Sequence, residues 1–157
     1  MKAFTQIHVA ISLIAIASGL VVMFGLLARN RLDRWTALFL LTTVLTSVTG
    51  FFFPFHGFTP ALGVGIISML LLTVAIVARY PRHLLGAWRW IYVITAMVSL
   101  YLNVFVLIVQ AFQKIPALKA LAPTQSEPPF LFTQLVTLIT FVVLSTVAAI
   151  KFRVDVR

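Results

Sequence analysis

Five long apolar segments run through this chain, separated by short connections in which arginine or proline is frequent. They cover about residues 5–28, 35–53, 61–78, 88–113 and 130–150. A helix needs about 20 mainly apolar residues to cross a bilayer, and backbone amides in lipid must be satisfied within the segment itself. The pattern therefore predicts an all-α polytopic transmembrane bundle of five spans, forming a single domain over residues 1–157.

Two alternatives concern the number of spans. In the first, the segment 88–113 lies at the membrane surface and four spans remain, although its length and apolar content favour a crossing. In the second, the first segment is a signal peptide, since Ala15-Ile16-Ala17 resembles a cleavage site behind Lys2. Apolar sequence continues through Leu27 and the stronger positive flank follows it, which favours a retained span.

Arginine and lysine positions predict the orientation of the bundle. Nine of the twelve basic residues form three clusters next to the apolar segments, Arg29/Arg31/Arg34, Arg79/Arg82/Arg89 and Lys151/Arg153/Arg157. Cytoplasmic loops are enriched in Lys and Arg, so all three clusters belong inside. We therefore expect the N-terminus outside, the C-terminus inside, and the clusters to act as topological anchors.

Composition supports the membrane assignment and excludes several other classes. The chain is 62% hydrophobic and 10% charged, whereas soluble domains are about 45–50% apolar and about 25% charged. The net charge of +9 lies at segment ends rather than on one face, so we expect membrane lipids as partners and no nucleic acid. With no cysteine in the sequence, disulfides and thiolate chemistry are excluded.

Polar side chains inside the spans indicate which faces look inward, because such groups usually face a bundle interior or a cavity. The fourth span carries a stripe at steps of three, four and seven residues: Tyr92, Thr95, Ser99, Asn103, Gln110 and Gln113. These positions share one broad helix face. Two interpretations remain open, a seam that hydrogen-bonds neighbouring helices and the wall of a cavity or ligand path.

The predicted topology gathers further polar residues near the outer side. We expect an outward-opening pocket there, covered by the proline-rich loop 114–129 and formed by His8, His56, Asn103, Gln110, Gln113, Gln134 and Glu127. His8 and His56 are candidate ligands for haem iron or another metal ion. Histidine, glutamine and asparagine beside an apolar channel also suit a quinone, so haem and quinone are the candidate cofactors.

Catalytic patterns are missing from the sequence. No predicted span contains Asp or Glu, which excludes paired carboxylates as acid and base within the membrane, and there is no glycine-rich phosphate loop. The sequence favours a non-enzymatic protein that binds a quinone, lipid or haem, or an accessory subunit of a larger membrane complex. The alternative is an oligomeric transporter or channel for small solutes, lined by the fourth span.

Two stretches carry a resemblance to other proteins. Thr49-Gly50-Phe51-Phe52-Phe53-Pro54-Phe55-His56-Gly57-Phe58-Thr59-Pro60 and Arg79-Tyr80-Pro81-Arg82-His83 resemble small multi-span bacterial membrane proteins of no assigned function, and residues 113–130 look like the most distinctive part of that group. Residues 31–95 also look like a four-span family similar in layout to b-type cytochromes. That family has histidines near its inner loop, where this chain has His83, Arg31 and Arg34. The resemblance implies a bacterial inner-membrane location.

Overall fold

The computed structural model describes residues 2–54, 57 and 59–153, and this part of the chain is helical with no strand. Six helices follow in chain order: α1 Lys2–Leu27, α2 Asp33–Gly50, α3 Pro60–Arg79, α4 Ala87–Lys114, α5 Pro116–Leu121 and α6 Pro128–Lys151. The all-α prediction is confirmed for these residues. Each predicted span corresponds to one long helix, and α5 is a short helix inside the proline-rich loop.

Proline marks the beginning of three of these helices. Pro60, Pro116 and Pro128 occupy the first turns of α3, α5 and α6, where the missing N–H would have had no partner in the helix. At α3 the preceding Thr59 adds a side-chain cap, accepting a hydrogen bond of 3.3 Å from the backbone N–H of Leu62. Proline therefore marks where each of these three helices begins.

In the part of the chain that the structure describes, four helices are long and apolar enough to cross a membrane: Lys2–Leu27, Pro60–Arg79, Ala87–Lys114 and Pro128–Lys151. The segment 88–113, which the four-span alternative places at the surface, lies within one of them. The remaining long helix, α2, has 18 residues and begins with Asp33 and Arg34. Its final turn ends at Gly50, and residues 51–53 form a turn instead of extending the helix as predicted.

Helix α4 lies at the centre of the bundle and packs against α1, α3 and α6, while α2 packs mainly against α1 and also against α3. The larger of the two buried apolar clusters in the described residues occupies one end. It is built from 22–26 of α1, 39–40 of α2, 72–78 of α3, 92–100 of α4 and 141–152 at the end of the chain's last helix. In the other half of the bundle, the first four long helices are less tightly packed.

Two arginines of the basic clusters are part of the packed end. Arg79 is only 3% exposed, and its Nη2 donates hydrogen bonds to the Asp33 carboxylate at 2.5 Å and to the Arg31 carbonyl at 3.2 Å. Arg89 donates from Nη1 to the carbonyl of Phe152, just beyond α6. The interpretation of these clusters as topological anchors is therefore incomplete, because Arg79 and Arg89 also tie helix ends together.

Candidate functional site

A cavity of about 590 Å³ lies in the loosely packed end of the bundle. Its walls are the first half of α1, the end of α2 with the following turn, the first half of α3 and the end of α4, and the lining residues fall within 5–16, 46–53, 61–68 and 103–115. All four segments lie at the end of the bundle that the charge pattern predicts to be outside. Helix α6 packs against α4 and α1 but contributes none of the lining residues.

His8 is positioned in this cavity by a hydrogen bond to helix α2. Its Nδ1 lies 2.7 Å from the Thr49 hydroxyl oxygen, and its ring meets the ring of Phe53 edge-on at a centroid distance of 5.1 Å. The Thr49 hydroxyl donates to the carbonyl of Leu45 at 2.6 Å. Two neighbours from α2 and the following turn therefore fix the orientation of the imidazole.

Asn103 and Gln110 bring amide groups from α4 to the same cavity. Nδ2 of Asn103 donates to the hydroxyl oxygen of Thr43 at 3.3 Å, whereas the Gln110 amide makes no hydrogen bond with the described part of the chain. Thr49 lies six residues beyond Thr43, and Gln110 lies seven beyond Asn103. At 1.5 Å per residue, His8 and Gln110 therefore share a level about 10 Å nearer the end of the bundle than Asn103.

The mouth of the cavity combines one cation with aromatic rings. Lys114, the last residue of α4, lines it together with Ile115. Across the opening the Phe51 ring packs on Gly65, where an added Cβ would lie 3.0 Å from the ring. None of the described lining residues carries a carboxylate. The cavity therefore suits a neutral or anionic ligand with an apolar body rather than a cation.

Three predicted site residues lie elsewhere. Gln113 donates to the side-chain oxygen of Gln125 in the loop, Gln134 is buried and donates to the carbonyl of Phe105, and Glu127 accepts hydrogen bonds within its own loop. The cavity lining contains none of these three residues. His56 lies outside the described residues, so its place in the pocket stays a prediction.

The sequence predicts that the proline-rich loop covers the cavity, but most of this loop packs elsewhere. Only Lys114 and Ile115 from this segment reach the lining. The rest packs against another face of α4, where Phe112, Ala122 and Phe130 form a small apolar cluster. Its contacts make the loop a brace between α4 and α6 rather than a lid.

Metal binding receives limited support from the described residues. Within them, no group of three or more His, Cys, Asp or Glu side chains is placed to hold a metal ion. His8 lines the cavity, whereas His83 follows α3 in the turn at the packed end. A bis-histidine haem would require a second ligand beside His8, for which His56 is the candidate from the sequence.

Sequence reasoning missed several polar groups of the cavity. Ser47 of α2 and Ser68 of α3 line it and are buried, and Thr49 orients His8. The hydroxyl-rich end of α2 was the available signal, but hydroxyls on a transmembrane helix usually bond their own backbone. Thr46 and Thr49 both do so, donating to the carbonyls of Thr42 and Leu45, yet Thr46 lines the cavity and Thr49 contacts His8. A hydroxyl's bond to its own helix therefore does not exclude it from the site.

Comparison with known proteins leaves the family open. No family model matches this chain, and no curated protein or solved structure matches it. The resemblance suggested by residues 49–60 and 79–83 stays a prediction, and function has to be argued from the cavity.

Proposed function

We propose that the protein is an integral membrane protein with five spans, its N-terminus outside and its C-terminus inside, as in a bacterial inner membrane. The fifth span would be α2, whose 18 residues extend about 27 Å. Asp33 at its beginning contacts Arg79 at the end of α3, and Thr49 near its end contacts His8 near the beginning of α1. These contacts support an α2 that runs the length of the bundle, antiparallel to both neighbours.

Within this topology, the proposed function is to bind one lipophilic small molecule with a polar head in the outer cavity. The observation that carries the proposal is the convergence of His8, Asn103 and Gln110, from two different helices, on one space of about 590 Å³. Pockets of this size with a few placed polar groups in apolar walls are typical of small-molecule sites. Quinones, lipids and haem are the ligand classes that fit this description.

The part of the fourth-span stripe at the packed end of the bundle favours ligand binding over solute conduction. Tyr92, Thr95 and Ser99 are buried at the packed end, and the Thr95 and Ser99 hydroxyls donate to carbonyls of their own helix at 2.7 and 2.8 Å. The cavity therefore ends at a packed core rather than continuing as a polar path. Under the alternative, an oligomeric transporter, Asn103→Leu would abolish solute flux in liposomes; unchanged flux would count against it.

Purification in a mild detergent tests the binding function directly. We expect a lipophilic compound in an organic extract of the protein, or a visible absorption band with iron in the metal analysis if the ligand is haem. Gln110→Leu should reduce the bound amount at least severalfold. Gln113→Leu is the matched control, because it removes the same amide one turn away and outside the cavity. Equal occupancy in both variants, or an empty extract and a featureless spectrum, would refute the proposal.

A further inference from the structure

The hydrogen-bonding state of His8 specifies what the cavity can recognise. A hydroxyl has one proton, and Thr49 donates that proton to the Leu45 carbonyl at 2.6 Å. In its contact with Nδ1 of His8, 2.7 Å away, the Thr49 oxygen therefore accepts the hydrogen bond. This assigns the hydrogen of the neutral imidazole to Nδ1. Its Nε2 then presents a lone pair and has no partner among the described residues.

Neutrality of this imidazole follows from its surroundings. Lys114 lines the same cavity, and the described lining contains no carboxylate that would stabilise a second positive charge. A charge on His8 would be repelled by Lys114 and would have no carboxylate in the described lining to compensate it. His8 is consequently a hydrogen-bond acceptor for whatever occupies the cavity.

A second acceptor lies deeper in the same space. Asn103 uses Nδ2 to bond Thr43, while its Oδ1 is without a hydrogen bond within residues 2–54, 57 and 59–153. The helix levels of His8 and Asn103 differ by about 10 Å. A single aromatic ring with an oxygen at each end, plus a hydrogen bond of about 3 Å on either side, has a length similar to this difference in level.

We propose that the ligand is a hydroquinone with an apolar tail, whose two ring hydroxyls donate to Nε2 of His8 and to Oδ1 of Asn103. This inference rests on the proposed binding function and specifies its ligand. Phe53, Val106 and Leu107 line the cavity beside the ring position and supply apolar contacts. The oxidised quinone has carbonyl oxygens, which only accept hydrogen bonds, so it would leave both protein acceptors unpaired.

The proposal predicts a preference for the reduced ligand. A decyl-substituted benzohydroquinone, kept reduced without oxygen, and the corresponding benzoquinone would be titrated into the purified protein by calorimetry. We expect the hydroquinone to bind about tenfold more tightly or better. A tenfold ratio corresponds to a rise of about 30 mV in the reduction potential of the bound couple.

Three variants separate the role of His8 from a general loss of structure. Thr49→Val removes the partner of Nδ1 and frees the hydrogen to move to Nε2, so the preference for the hydroquinone should fall towards unity while the quinone still binds. His8→Gln keeps an acceptor oxygen and should retain part of the preference, whereas His8→Phe keeps the contact with Phe53 and should lose it. Circular dichroism confirms that each variant is folded.

The outcomes distinguish this inference from the proposed function. Equal affinity for the two forms, or a preference that survives Thr49→Val unchanged, would overturn the assignment of His8. If neither form binds but a different lipophile is extracted and is lost in Gln110→Leu, the hydroquinone is wrong and the binding function stands. If neither form binds and nothing is extracted, both the hydroquinone inference and the proposed binding function are refuted.

Discussion

The guanidinium carbon of Arg79 lies 5.1 Å from the centre of the Tyr92 ring, which is completely buried. Arg79 joins α3 to the beginning of α2 through Asp33, and its buried Nη1 finds no hydrogen-bond acceptor among the residues that the structure describes. Stacking on an aromatic face partly compensates a desolvated cation. The packed end of the bundle therefore contains a charge that depends strongly on one carboxylate.

Replacement of Asp33 should cost more stability than replacement of Arg79. Asp33→Ala leaves the guanidinium buried without its counter-ion, and we expect a loss of about 2 kcal/mol. Arg79→Met keeps an apolar chain over Tyr92 and returns Asp33, whose side chain is 70% exposed, to water, so about 1 kcal/mol or less is expected. Unfolding in mixed micelles measures both.

Arg31→Met serves as the control for this pair. Its Nε lies 3.4 Å from Asp33, but the Arg31 side chain is 48% exposed, and exposed ion pairs contribute little. A loss as large as that of Asp33→Ala, or a greater loss for Arg79→Met than for Asp33→Ala, would contradict the account of the buried charge.

Gly19 and Gly50 should respond in opposite ways to an added methyl group. A Cβ at Gly19 would lie 2.5 Å from Cδ1 of Leu100 and 2.9 Å from the ring of Phe39, whereas at Gly50 the nearest atom is Cε1 of His8 at 3.8 Å. Gly19→Ala should therefore destabilise the bundle by about 1–3 kcal/mol. Gly50→Ala should be neutral or slightly stabilising, since alanine is the better helix former.

The same unfolding assay decides between the two glycines. If Gly19→Ala is as stable as the unmodified protein, α1 does not approach α2 and α4 as closely as the structure indicates. Ligand content provides a second readout, because Gly50 borders the cavity and Gly19 lies in the packed half.

Helix positions could be predicted from the sequence because they depend on order along the chain. No helix end in the structure differs from the predicted span by more than three residues, since arginine or proline interrupts the apolar pattern at most ends. The level of His8, Asn103 and Gln110 along the bundle followed from the same one-dimensional information. All three residues line one cavity; that they bind a ligand stays a prediction.

The direction in which each residue points could not be predicted in the same way. Gln110 and Gln113 are three residues apart on α4 and face different neighbours, the cavity and the loop residue Gln125. Gln134 is buried against the carbonyl of Phe105 because α6 packs against α4. Such differences depend on which helices are adjacent, and hydrophobic periodicity contains no information about the identity of the neighbour.

Acidification should open the turn that begins α6. Glu127 accepts hydrogen bonds from the Thr124 N–H, the Thr124 hydroxyl and the Ser126 N–H at 3.1, 2.8 and 3.1 Å. Desolvation raises the pKa of Glu127, but these hydrogen bonds outweigh it and bring the pKa below its ordinary value. A depressed folded pKa means that the stabilisation is complete above the unfolded pKa and is lost as the pH falls through the folded pKa.

Hydrogen exchange at the Thr124 and Ser126 amides measures this opening. Protection should be constant near neutral pH and fall, after correction for intrinsic exchange, once the pH drops below the ordinary pKa of a glutamic acid. Glu127→Gln should show the reduced protection already at pH 7, with little further change on acidification. Protection in the unmodified protein that does not depend on pH would argue against a structural role for the carboxylate.

Single cysteines can determine the topology, because the sequence has none. Three substitutions at exposed positions in three connections leave every charge in place: Asn30→Cys, Leu85→Cys and Ala120→Cys. With five spans and the N-terminus outside, a membrane-impermeant maleimide added to intact cells should label Ala120→Cys alone. The other two should react only after the membrane is opened.

Each alternative topology gives a different labelling pattern. If α2 does not cross, residues 30 and 85 are separated by one crossing instead of two, so Leu85→Cys becomes accessible from outside and Ala120→Cys becomes protected. If the segment 88–113 lies at the surface, all three cysteines are protected in intact cells. The contact between Asp33 and Arg79 favours the five-span pattern, because it requires the beginning of α2 and the end of α3 to lie at the same side of the membrane.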